Sequence, residues 1–574
     1  MKNFFNKILA ARFWWFFLLL FLAAVNFLAS SFHSRFDLTK EKRYTLSKAT
    51  RELLLGLEDD VNIEVFLKGD FPSGFRKLAN SADEFLQLLK DHNSSKIHYK
   101  FISPQDEVPE TNGMKYEDSL VHLGAVPINL TSQVEAGQQQ KYIFPIALIK
   151  YKGRQSLVNL YSGGKRIITP VEMNSAEALM EYQFAKTLDG LIHINKPLIG
   201  YSIGNGEPSP GDPRTADLQQ ALRQDYKLFT LNLNKQPFIP DTFKVLMMVK
   251  PTIQFSEDEK LKMDQYVMHG GNVICFIDNL IAEQDSLQLK PETIAFDRNL
   301  NLADLFFRYG VRINTDLVMD LQCDFLPFVV GGTPDNPQYE FMHWNYFPLF
   351  ESQGNHTINK NLGLVAGRFV NSMDTIASPG IKKTILLATS SNSRTIGTPA
   401  LISPNENRNT PEDEKFKRSN IPVAVLLEGK FTSLFRNRIS KSETDSLNVL
   451  GIPFLESSLH DNKMVVIADG DLVLNDVSPK DGPLPMGLNL YTMGTQYEYQ
   501  FANRDFLLNC LEYLVNKPGI IETRNKDIIL RLLDSKKAKE QKTMWQFINI
   551  VLPVILLILF GFIYQQLRKR KYAA

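Results

Sequence analysis

The stretch Ser256–Asp278 reads SEDEKLKMDQYVMHGGNVICFID and contains a complete helix-to-strand unit. Ser256 and Glu259 form a capping-box pattern, in which a serine oxygen and a glutamate three residues later satisfy free backbone N–H groups at a helix start. Gly270 predicts the helix end, because glycine readily adopts the left-handed conformation found there. The apolar run Asn272–Asp278 then predicts a buried strand.

The same rhythm of strand and helix extends in both directions from this stretch. The other predicted strands are 197–203, 226–233, 244–250 and 463–468. Helices are predicted from Asp212-Pro213 to about residue 224 and from Arg504 to Val515. Nearly continuous apolar strands separated by helices indicate a parallel sheet that is covered on both faces. Between about 291 and 462 the pattern loosens, so this segment is predicted to be an insertion into one α/β domain.

A smaller α/β unit precedes this domain. A strand at 61–67, a helix at 75–91 and a strand at 96–102 predict a parallel pair with a right-handed crossover. Two further strands, near 142–151 and 155–160, make the order β-α-β, then β-β, which is thioredoxin-like in outline. The redox CxxC motif is missing from the expected turn, so no thiol chemistry is predicted. A helix with Thr169 at its N-cap and Pro170 behind it connects the two units.

Both ends of the chain are strongly apolar. Residues 13–30 (FWWFFLLLFLAAVNFLAS) and 547–564 (FINIVLPVILLILFGFIY) contain no charge. As helices each would be about 27 Å long, just enough to cross the core of a bilayer. Both segments are predicted to be transmembrane anchors. A cleaved signal peptide is the alternative for the first segment, and a buried core helix is the alternative for the second.

The residues at the edges of these segments support the membrane interpretation. Tryptophan, tyrosine and basic residues favour the interface between lipid and water. The predicted interface anchors are Trp14, Trp15, Trp545, Tyr564, Arg568, Lys569, Arg570 and Lys571. Counts of Lys and Arg on the two sides are nearly balanced, but the compact RKRK run at 568–571 favours tails inside and the long middle exported.

Composition excludes several classes of protein. The formal net charge is +1 with 44% hydrophobic residues, which fits ordinary globular domains and gives no electrostatic case for nucleic acid. Three cysteines, none in a CxxC motif, argue against a disulfide framework, although one bond between two of them stays open. Cys275 lies in an apolar strand and is predicted to be a buried, inert thiol.

The motifs for chemistry are weak. Asp469-Gly470-Asp471 follows a predicted strand, with Asn475 and Asp476 nearby, and carboxylates at such a position can bind Mg²⁺ or Ca²⁺. The complete calcium-loop motif is missing, so a plain acidic turn is the preferred interpretation. Neither a G-x-S-x-G nucleophile elbow nor a phosphate-binding G-x-x-x-x-G-K-[ST] motif occurs. The sequence therefore predicts no catalytic, cofactor-binding or metal-binding residues.

An aromatic cluster is the best candidate for a partner surface, because aromatic residues dominate buried interface anchors. Its members are Phe341, Trp344, Tyr346, Phe347 and Phe350. The alternative, which the sequence favours, is that these side chains form the core of the insertion.

Several long strings resemble a known family over nearly the whole chain. They include RYTLS at 43–47, FLKGDFPSGF at 66–75, VKPT at 249–252, FRYGVRIN at 307–314, DLQC at 320–323 and NIPVAVLLEG at 420–429. They resemble the gliding-motility-associated ABC-transporter auxiliary component GldG of Bacteroidetes. The resemblance implies an inner-membrane protein acting with a GldF-like permease subunit and a GldA-like ATPase subunit. It also implies an ABC-transporter auxiliary domain that is related to glutamine-amidotransferase folds but lacks their catalytic cysteine.

The predicted fold class is α/β, with terminal transmembrane helices flanking a thioredoxin-like domain and a larger amidotransferase-like domain. The predicted divisions are an anchor at 1–31, the small domain at 32–168, a connecting helix at 169–196, the large domain at 197–516 with its insertion at 291–462, a membrane-proximal helix at 517–543, and a second anchor with a basic tail at 544–574.

These observations predict a non-enzymatic, membrane-anchored accessory subunit of an ABC transporter, with no cofactor. The bulk of the chain is expected in the periplasm, where it would couple permease and ATPase state to envelope motility proteins, and both termini in the cytoplasm. A tethered solute receptor is the alternative, with its crevice near Asn205, Glu207 and Asp278. A hydrolase using Cys275 is the third and least favoured hypothesis.

Overall fold

The computed structural model describes residues 14–31, 37, 45–69, 71–103, 117, 120–121, 123–125, 127–134, 137–161, 170–193, 195–283, 292–333, 336–403, 413–515, 519–525 and 541–572. The chain divides into two compact units, residues 1–526 and 527–574.

Before the connecting helix, the structure describes the bounds of three helices and six strands. They are α1 (Trp14–Ser31), α2 (Lys48–Leu55), β1 (Val61–Val65), α3 (Ser73–His92), β2 (Ile97–Phe101), β3 (Ile128–Val134), β4 (Gly137–Ile143), β5 (Ile146–Tyr151) and β6 (Arg154–Asn159). Four strands form a sheet in the order β2-β1-β5-β6, in which β1 and β2 are parallel and β5 is antiparallel to β1 and β6. The elements follow the predicted order, while the thioredoxin-like name for them stays a prediction.

The strand predicted near 142–151 is wrong in one respect, because two strands share this segment. β4 pairs with β3 in a separate two-stranded sheet, and β5 begins after Pro145. Proline has no backbone N–H to donate to a ladder, so Pro145 separates the two pairings.

Helix α4 (Pro170–Ile192) confirms the predicted connecting helix, although its expected N-cap Thr169 lies outside the described residues. Met180, Phe184 and Leu188 on this helix pack into the core of the small sheet. Tyr182 on the same helix packs against Ile520, which follows the last helix of the large sheet. Helix α4 therefore contacts both parts of the first compact unit.

Among the described residues, the rest of the first compact unit contains the remaining strands and five α-helices. In chain order they are β7 (Leu198–Ile203), α5 (Ala216–Asp225), β8 (Lys227–Asn232), β9 (Phe243–Val249), α6 (Glu257–Met268), β10 (Asn272–Phe276), β11 (Leu280–Ile281), β12 (Thr293–Asp297), α7 (Ala303–Tyr309), β13 (Val311–Ile313), β14 (Asp316–Asp320), β15 (Cys323–Thr333), β16 (Asn336–Ser352), β17 (Val365–Ala366), β18 (Met373–Thr375), β19 (Ile381–Ala388), β20 (Ser393–Gly397), β21 (Ala400–Ile402), β22 (Pro422–Gly429), α8 (Lys441–Val449), β23 (Asn462–Ile467), β24 (Val477–Ser478), β25 (Gly482–Pro483) and α9 (Asn503–Val515).

The predicted parallel sheet is present. Strands β8, β7, β9, β10 and β23 are neighbours in that order and all run parallel. Numbered along the chain this is the order 2-1-3-4-5, which is the order of doubly wound flavodoxin-like sheets. Helices α5 and α9 cover one face and helices α6 and α7 cover the other, so the strands are buried on both sides.

The segment 291–462 extends this sheet. Strands β22, β19, β16 and β15 continue it beyond β23 as antiparallel neighbours, and β15 forms the edge. The inserted segment therefore contributes to the central layer, while β23 and α9 complete the α/β pattern after it, as predicted. The remaining short strands form small separate pairings, such as β11-β12-β21.

The second compact unit is described through helix α10 (Lys542–Tyr572). Within the described parts of the chain, one helix is long and apolar enough to cross a membrane, over residues 542–570, with a mean hydropathy of 2.6 in its most apolar window. Helix α1 confirms that the first apolar segment is helical. Whether α1 crosses a membrane stays a prediction.

Candidate functional site

Acidic and basic residues follow three neighbouring parallel strands at the points where the strands end. Lys250 follows β9, Asp278 follows β10, and Asp469 and Asp471 follow β23. Because these strands are adjacent and parallel, their carboxyl ends lie at one edge of the sheet. In doubly wound sheets this edge is where ligands bind.

Lys250 lies at the centre of this group. Its Nζ is 2.7 Å from Asp471 Oδ1, 2.8 Å from Glu283 Oε2 and 3.3 Å from Asp278 Oδ2, and its side chain is only 5% exposed. Its backbone adopts a left-handed φ of 45°, which is uncommon for a residue with a side chain. We call Lys250, Asp278, Glu283, Asp469 and Asp471 the lysine–carboxylate cluster.

Backbone groups fix the two carboxylates of the cluster that are most deeply buried. Asp278 Oδ1 accepts a hydrogen bond from Gly470 N. Asp469 accepts one from Asp471 N at 2.8 Å and another from Arg368 N at 3.0 Å. Gly470 is required by close approach, because a Cβ atom there would lie 2.8 Å from Lys250 Cγ.

The cluster shifts the pKa values of its members. Burial raises the pKa of Asp278 to about 6, against the attraction of Lys250, which lowers it. Burial and the negative charges of Asp278 and Asp471 raise the pKa of Asp469 well above its usual range. Burial alone would lower the pKa of Lys250, but Asp471, Asp278 and Glu283 raise it on balance, so the lysine stays protonated.

The arrangement resembles a metal site in one respect. Oxygen atoms of Asp278, Asp469 and Asp471 all lie within 4.8 Å of one another. The Lys250 ammonium group, however, already contacts two of these carboxylates and supplies the positive charge that a divalent ion would provide. The cluster is therefore an internal ion-pair network.

The sequence motif around Asp469 was only partly informative. Of the acidic residues singled out there, Asp469 and Asp471 join the cluster. Asp476 instead forms a bidentate ion pair with Arg368, at 2.6 and 2.7 Å. Asn475 accepts a hydrogen bond from Asp217 N at 3.1 Å. Lys250 and Glu283 were missed, although a lysine directly after the apolar run VLMMV is a usable signal of a paired, buried charge.

A cleft adjoins the cluster and encloses about 400 Å³ of space, part of it open to solvent. Asp471, Arg368, Asp324 and Asn489 supply polar groups to its lining, and Phe347 supplies an apolar wall. The Arg368 guanidinium lies 5.4 Å from the centre of the Phe347 ring.

At the predicted receptor crevice near Asn205 and Glu207, the loops after β7 and β9 are in direct contact. Thr252 N, in the loop after β9, donates a hydrogen bond of 2.8 Å to Asn205 O. A Cβ atom at Gly206 would lie 2.0 Å from Thr252 Oγ1, so the two loops are in tight contact. Asp278 belongs to the lysine–carboxylate cluster, whereas Asn205 and Glu207 contact each other in the loop after β7.

The predicted thiol behaviour agrees with the structure. Cys275, Cys323 and Cys510 are all free and buried. Burial raises the pKa of Cys275 to about 12, so its thiolate population at neutral pH is negligible.

The aromatic cluster lies mainly in the interior. Trp344, Tyr346, Phe347 and Phe350 are buried. Trp344, Tyr346 and Phe347 pack together with Phe369 in one core. Alternation explains only that Trp344 and Tyr346 share a face, because every second side chain of a strand faces the same side. Phe341 alone is half-buried, with its ring 5.2 Å from that of Tyr497. The four buried side chains are therefore unavailable as a partner surface, and a surface role remains a prediction for Phe341.

The predicted interface residues lie at the ends of the apolar helices. Trp545, Tyr564, Arg568, Lys569 and Arg570 are exposed on α10. Helix α1 begins at Trp14 and includes Trp15. The side chains of Trp14, Trp15 and Lys571 lie outside the described part of the structure.

Fold and site together define a doubly wound α/β protein whose ligand edge carries an internal ion-pair network and whose chain ends in an apolar helix. Residues 196–510 match the model of a family described as an ABC-type uncharacterized transport system, and the chain belongs to that family. It is an auxiliary component of an ABC-type transport system. Residues 40–150 match a domain of unknown function.

Individual relatives are distant. An uncharacterized protein of Borreliella burgdorferi is 21% identical over 592 aligned residues, covering 100% of both chains. Among solved structures, the mmIFT52 N-terminal domain is 14% identical, with a TM-score of 0.31, and the match covers 56% of this chain and 98% of that one. The exo-β-1,4-mannosidase Op5Man5 from an Opitutaceae bacterium is 10% identical, with a TM-score of 0.18, and the match covers 75% and 51%.

Proposed function

We propose that this chain is a membrane-anchored, non-enzymatic accessory subunit of an ABC transporter complex associated with gliding motility. The observation that carries the proposal is helix α10. Its candidate span, 542–570, is fully exposed and apolar, and it occurs in a chain that belongs to an ABC-type transport family. Exposed apolar surface of this size in water would be strongly unfavourable, so the helix requires an apolar environment.

The dimensions of α10 suit a membrane anchor. Its 31 residues span about 46 Å, which covers the hydrocarbon core and both headgroup regions. Trp545 lies near one end and Arg568–Arg570 lie at the other, the positions that such residues favour at the lipid–water interface. With α1 as a second anchor, both termini are in the cytoplasm of a bacterial cell and the bulk of the chain is in the periplasm.

The contacts of helix α4 support a coupling role for the body of the protein. The Tyr182 hydroxyl donates a hydrogen bond to Glu512 on α9, and Lys186 forms a 2.9 Å ion pair with Asp225 at the end of α5. Both α/β sheets belong to one compact unit. A body built this way transmits a displacement at one end to the other, and it responds to a permease whose two states contact it differently.

The absence of an enzymatic role is part of the proposal. Lys250 and its carboxylates pair with one another at the edge where substrates would bind, and the buried Cys275 carries a raised pKa. The proposed partners are a GldF-like permease subunit, a GldA-like ATPase subunit and other envelope motility proteins. The thioredoxin-like and amidotransferase-like domain types and the predicted domain boundaries belong to this proposal.

Affinity purification from native membranes tests the complex. The full-length chain with a C-terminal tag is extracted in mild detergent, and a matched variant that ends at residue 526, with the tag at its new end, serves as the control. We expect the permease and ATPase to co-purify with the full chain and to be depleted with the truncated chain. Isolation of the full chain as a lone monomer would contradict the proposal.

Protease protection tests the orientation. Intact spheroplasts and opened spheroplasts are treated with protease, and fragments are detected with antibodies against residues 300–450 and against the C-terminal tag. We expect the middle of the chain to be cleaved in intact spheroplasts while the tag stays protected. Protection of the middle in intact spheroplasts would place the body in the cytoplasm.

A tethered solute receptor is the second candidate, and the cleft beside Arg368 and Asp471 is the observation that favours it. A thermal-shift screen of small polar solutes on the detergent-purified chain separates the two functions. A saturable stabilisation by one solute class favours the receptor, and no response to any solute favours the accessory subunit.

A further inference from the structure

A second acidic group lies on the same sheet edge, at the end of β7 and the start of α6. It consists of Asn205, Glu207 and Glu259, which are 1%, 8% and 2% exposed. We call these three residues the Asn205–Glu259 site. Asn205 bridges the two carboxylates. Its backbone N donates a 2.7 Å hydrogen bond to Glu207 Oε2, and its side-chain Nδ2 donates one of 3.3 Å to Glu259 Oε2.

Both oxygens of Glu207 and one oxygen of Glu259 accept hydrogen bonds from neighbouring groups. Glu207 Oε1 accepts a hydrogen bond from Ser202 Oγ at 2.9 Å. Glu259 Oε2 accepts hydrogen bonds of 2.8 Å from both the backbone N and the hydroxyl of Ser256. Both carboxylates are therefore fixed in position by groups of the loops around them, and their orientations are set before any ligand arrives.

Two acceptor atoms in this site have no donor. Asn205 Oδ1 and Glu259 Oε1 are fully buried and accept no hydrogen bond from any described residue. Buried acceptors are almost always satisfied, because an unpaired one forfeits its interactions with water without replacement. The two atoms belong to side chains that are joined by the Asn205–Glu259 hydrogen bond.

The site also lacks a compensating positive charge. Among the described residues, neither Glu207 nor Glu259 forms an ion pair with a basic side chain. The lysine–carboxylate cluster on the same edge has the opposite arrangement, since Lys250 supplies its cation. Two buried carboxylates without a cation are strongly unfavourable unless a ligand neutralises them.

We propose that Asn205 Oδ1, Glu259 Oε1 and the Glu207 carboxylate bind one divalent cation of the Ca²⁺ and Mg²⁺ class. The donors are all oxygen atoms, which these hard cations prefer, and they lack the nitrogen and sulfur ligands that zinc favours. The charge of one divalent ion equals that of the two carboxylates. The neutral amide oxygen adds a third ligand, and waters complete the coordination of such ions.

A cation here joins parts of the fold that otherwise meet through loops. Asn205 and Glu207 follow the first parallel strand, and Glu259 lies in the first turn of α6. Between them, Thr252 N and Ile253 N each donate a 2.8 Å hydrogen bond to Asn205 O. Binding therefore stabilises the loops beside the lysine–carboxylate cluster and ties β7 to α6.

Calorimetric titration of the full-length chain in detergent tests the site. The protein is treated with EDTA, exchanged into chelator-free buffer at pH 7.5, and titrated with CaCl2 and separately with MgCl2, while thermal unfolding is followed in parallel. We expect saturable binding of one ion per chain and a rise in the unfolding temperature. Glu259→Gln should weaken binding by about tenfold or more, because it removes one ligand charge but keeps the side-chain oxygen that caps α6.

Asp471→Asn is the matched control, since it removes a carboxylate from the lysine–carboxylate cluster on the same edge. It should leave the affinity within about twofold of the unchanged chain. Asn205→Asp provides a second test of cation binding if Glu259→Gln fails to fold. It preserves the size of the side chain but replaces the Nδ2 donor to Glu259 by a third carboxylate oxygen, so the unfolding temperature should depend more strongly on the cation than in the unchanged chain.

Three results would overturn the proposal. The first is no saturable response of the unchanged chain to either cation. The second is loss of the response in Asp471→Asn but not in Glu259→Gln, which would place the ion at the other cluster. The third is binding of either cation by Glu259→Gln with the affinity of the unchanged chain, which would show that Glu259 is not a ligand.

Discussion

Replacing Lys250 with methionine is the sharpest test of the lysine–carboxylate cluster. Lys250→Met keeps an unbranched side chain of similar length and removes the ammonium group that Asp471, Glu283 and Asp278 contact at 2.7, 2.8 and 3.3 Å. Asp278 and Asp469 are buried, so both stay in the interior with their mutual repulsion uncompensated.

The expected loss of stability is large. At an effective dielectric constant of about 20, each of the three contacts is worth roughly 5–6 kcal/mol of gross attraction. Desolvation of the lysine and repulsion among the carboxylates oppose most of that attraction. Removing one partner of a buried ion pair costs about 3–5 kcal/mol, and we expect Lys250→Met to lower the free energy of unfolding by this amount at pH 7.

The loss should depend on pH. Removing the lysine raises the folded-state pKa values of Asp278 and Asp469 further above their unfolded values. A carboxyl group with a raised pKa contributes stability below its unfolded pKa and loses that contribution as the pH rises through its folded pKa. The pKa of Asp278 is already about 6 with Lys250 present. The destabilisation caused by Lys250→Met should therefore be smaller at pH 5 than at pH 7.

Urea unfolding of the full-length chain in detergent, followed by tryptophan fluorescence, measures both effects. Trp344 is the buried reporter in the large domain, because the other three tryptophans lie in the terminal helices. Lys260→Met is the control, since Lys260 is equally buried but pairs with Glu257 and Asp304, which are exposed. The control should show a smaller loss without the pH dependence. A Lys250→Met loss below about 1 kcal/mol, or one equal at pH 5 and pH 7, would refute this account.

Two further substitutions test the same region, and a labelling experiment tests the burial of the cysteines. Gly470→Ala should cost about 1–3 kcal/mol, because its Cβ would lie 2.8 Å from Lys250 Cγ and 3.0 Å from Asp278 Cγ; an unchanged urea midpoint would show that the loop relaxes freely. Ionisation of Asp278 lowers the free energy of unfolding as the pH rises through about 6. Between pH 4 and pH 7, Asp278→Asn should therefore become more stable relative to the unchanged chain by up to about 3 kcal/mol. Parallel curves of stability against pH for the two proteins would contradict this. At pH 8 the buried cysteines should react with iodoacetamide only after denaturation, since burial raises the pKa of Cys275 to about 12; rapid labelling of the native chain would reveal an accessible thiolate.

Local signals in the sequence were sufficient to predict the parallel part of the sheet. Ser256 caps α6 with the predicted reciprocal bonds to Glu259, and Gly270 has the expected positive φ of 104° at the helix end. These features depend on residues within a few positions of one another. Nearly continuous apolar strands separated by such helices are typical of one parallel sheet that is covered on both faces.

Pairing between distant segments was beyond the reach of the same reasoning. Strand β22 lies between β19 and β23 in the central sheet, yet its own sequence gives no sign of which strands it joins. The sequence allows the aromatic residues of β16 to form either a surface or a core. Alternation along a strand shows that Trp344 and Tyr346 share a face, but it does not show what packs against that face.

The candidate site was likewise predictable only where it depends on local sequence. The acidic turn at Asp469 and Asp471 was visible in the sequence, and so was Asp278 at the end of a strand. The bond between Lys250 and Asp471 joins residues 221 positions apart, and only the sheet order brings them together. The left-handed backbone of Lys250, which allows its side chain to enter the carboxylates, has no sequence signature in a residue other than glycine or asparagine.

The energies at this edge bear on how the subunit responds to its transporter. A solute that entered between the strand ends would have to displace an ammonium group held by three carboxylates, at a cost of about 3–5 kcal/mol before any contact of its own is made. Coupling free energies between sites are typically about 1–3 kcal/mol, which is less than this cost. Under the proposed coupling role, a signal from a permease would leave the cluster intact. It would be carried by displacement of elements such as α4 that contact both sheets.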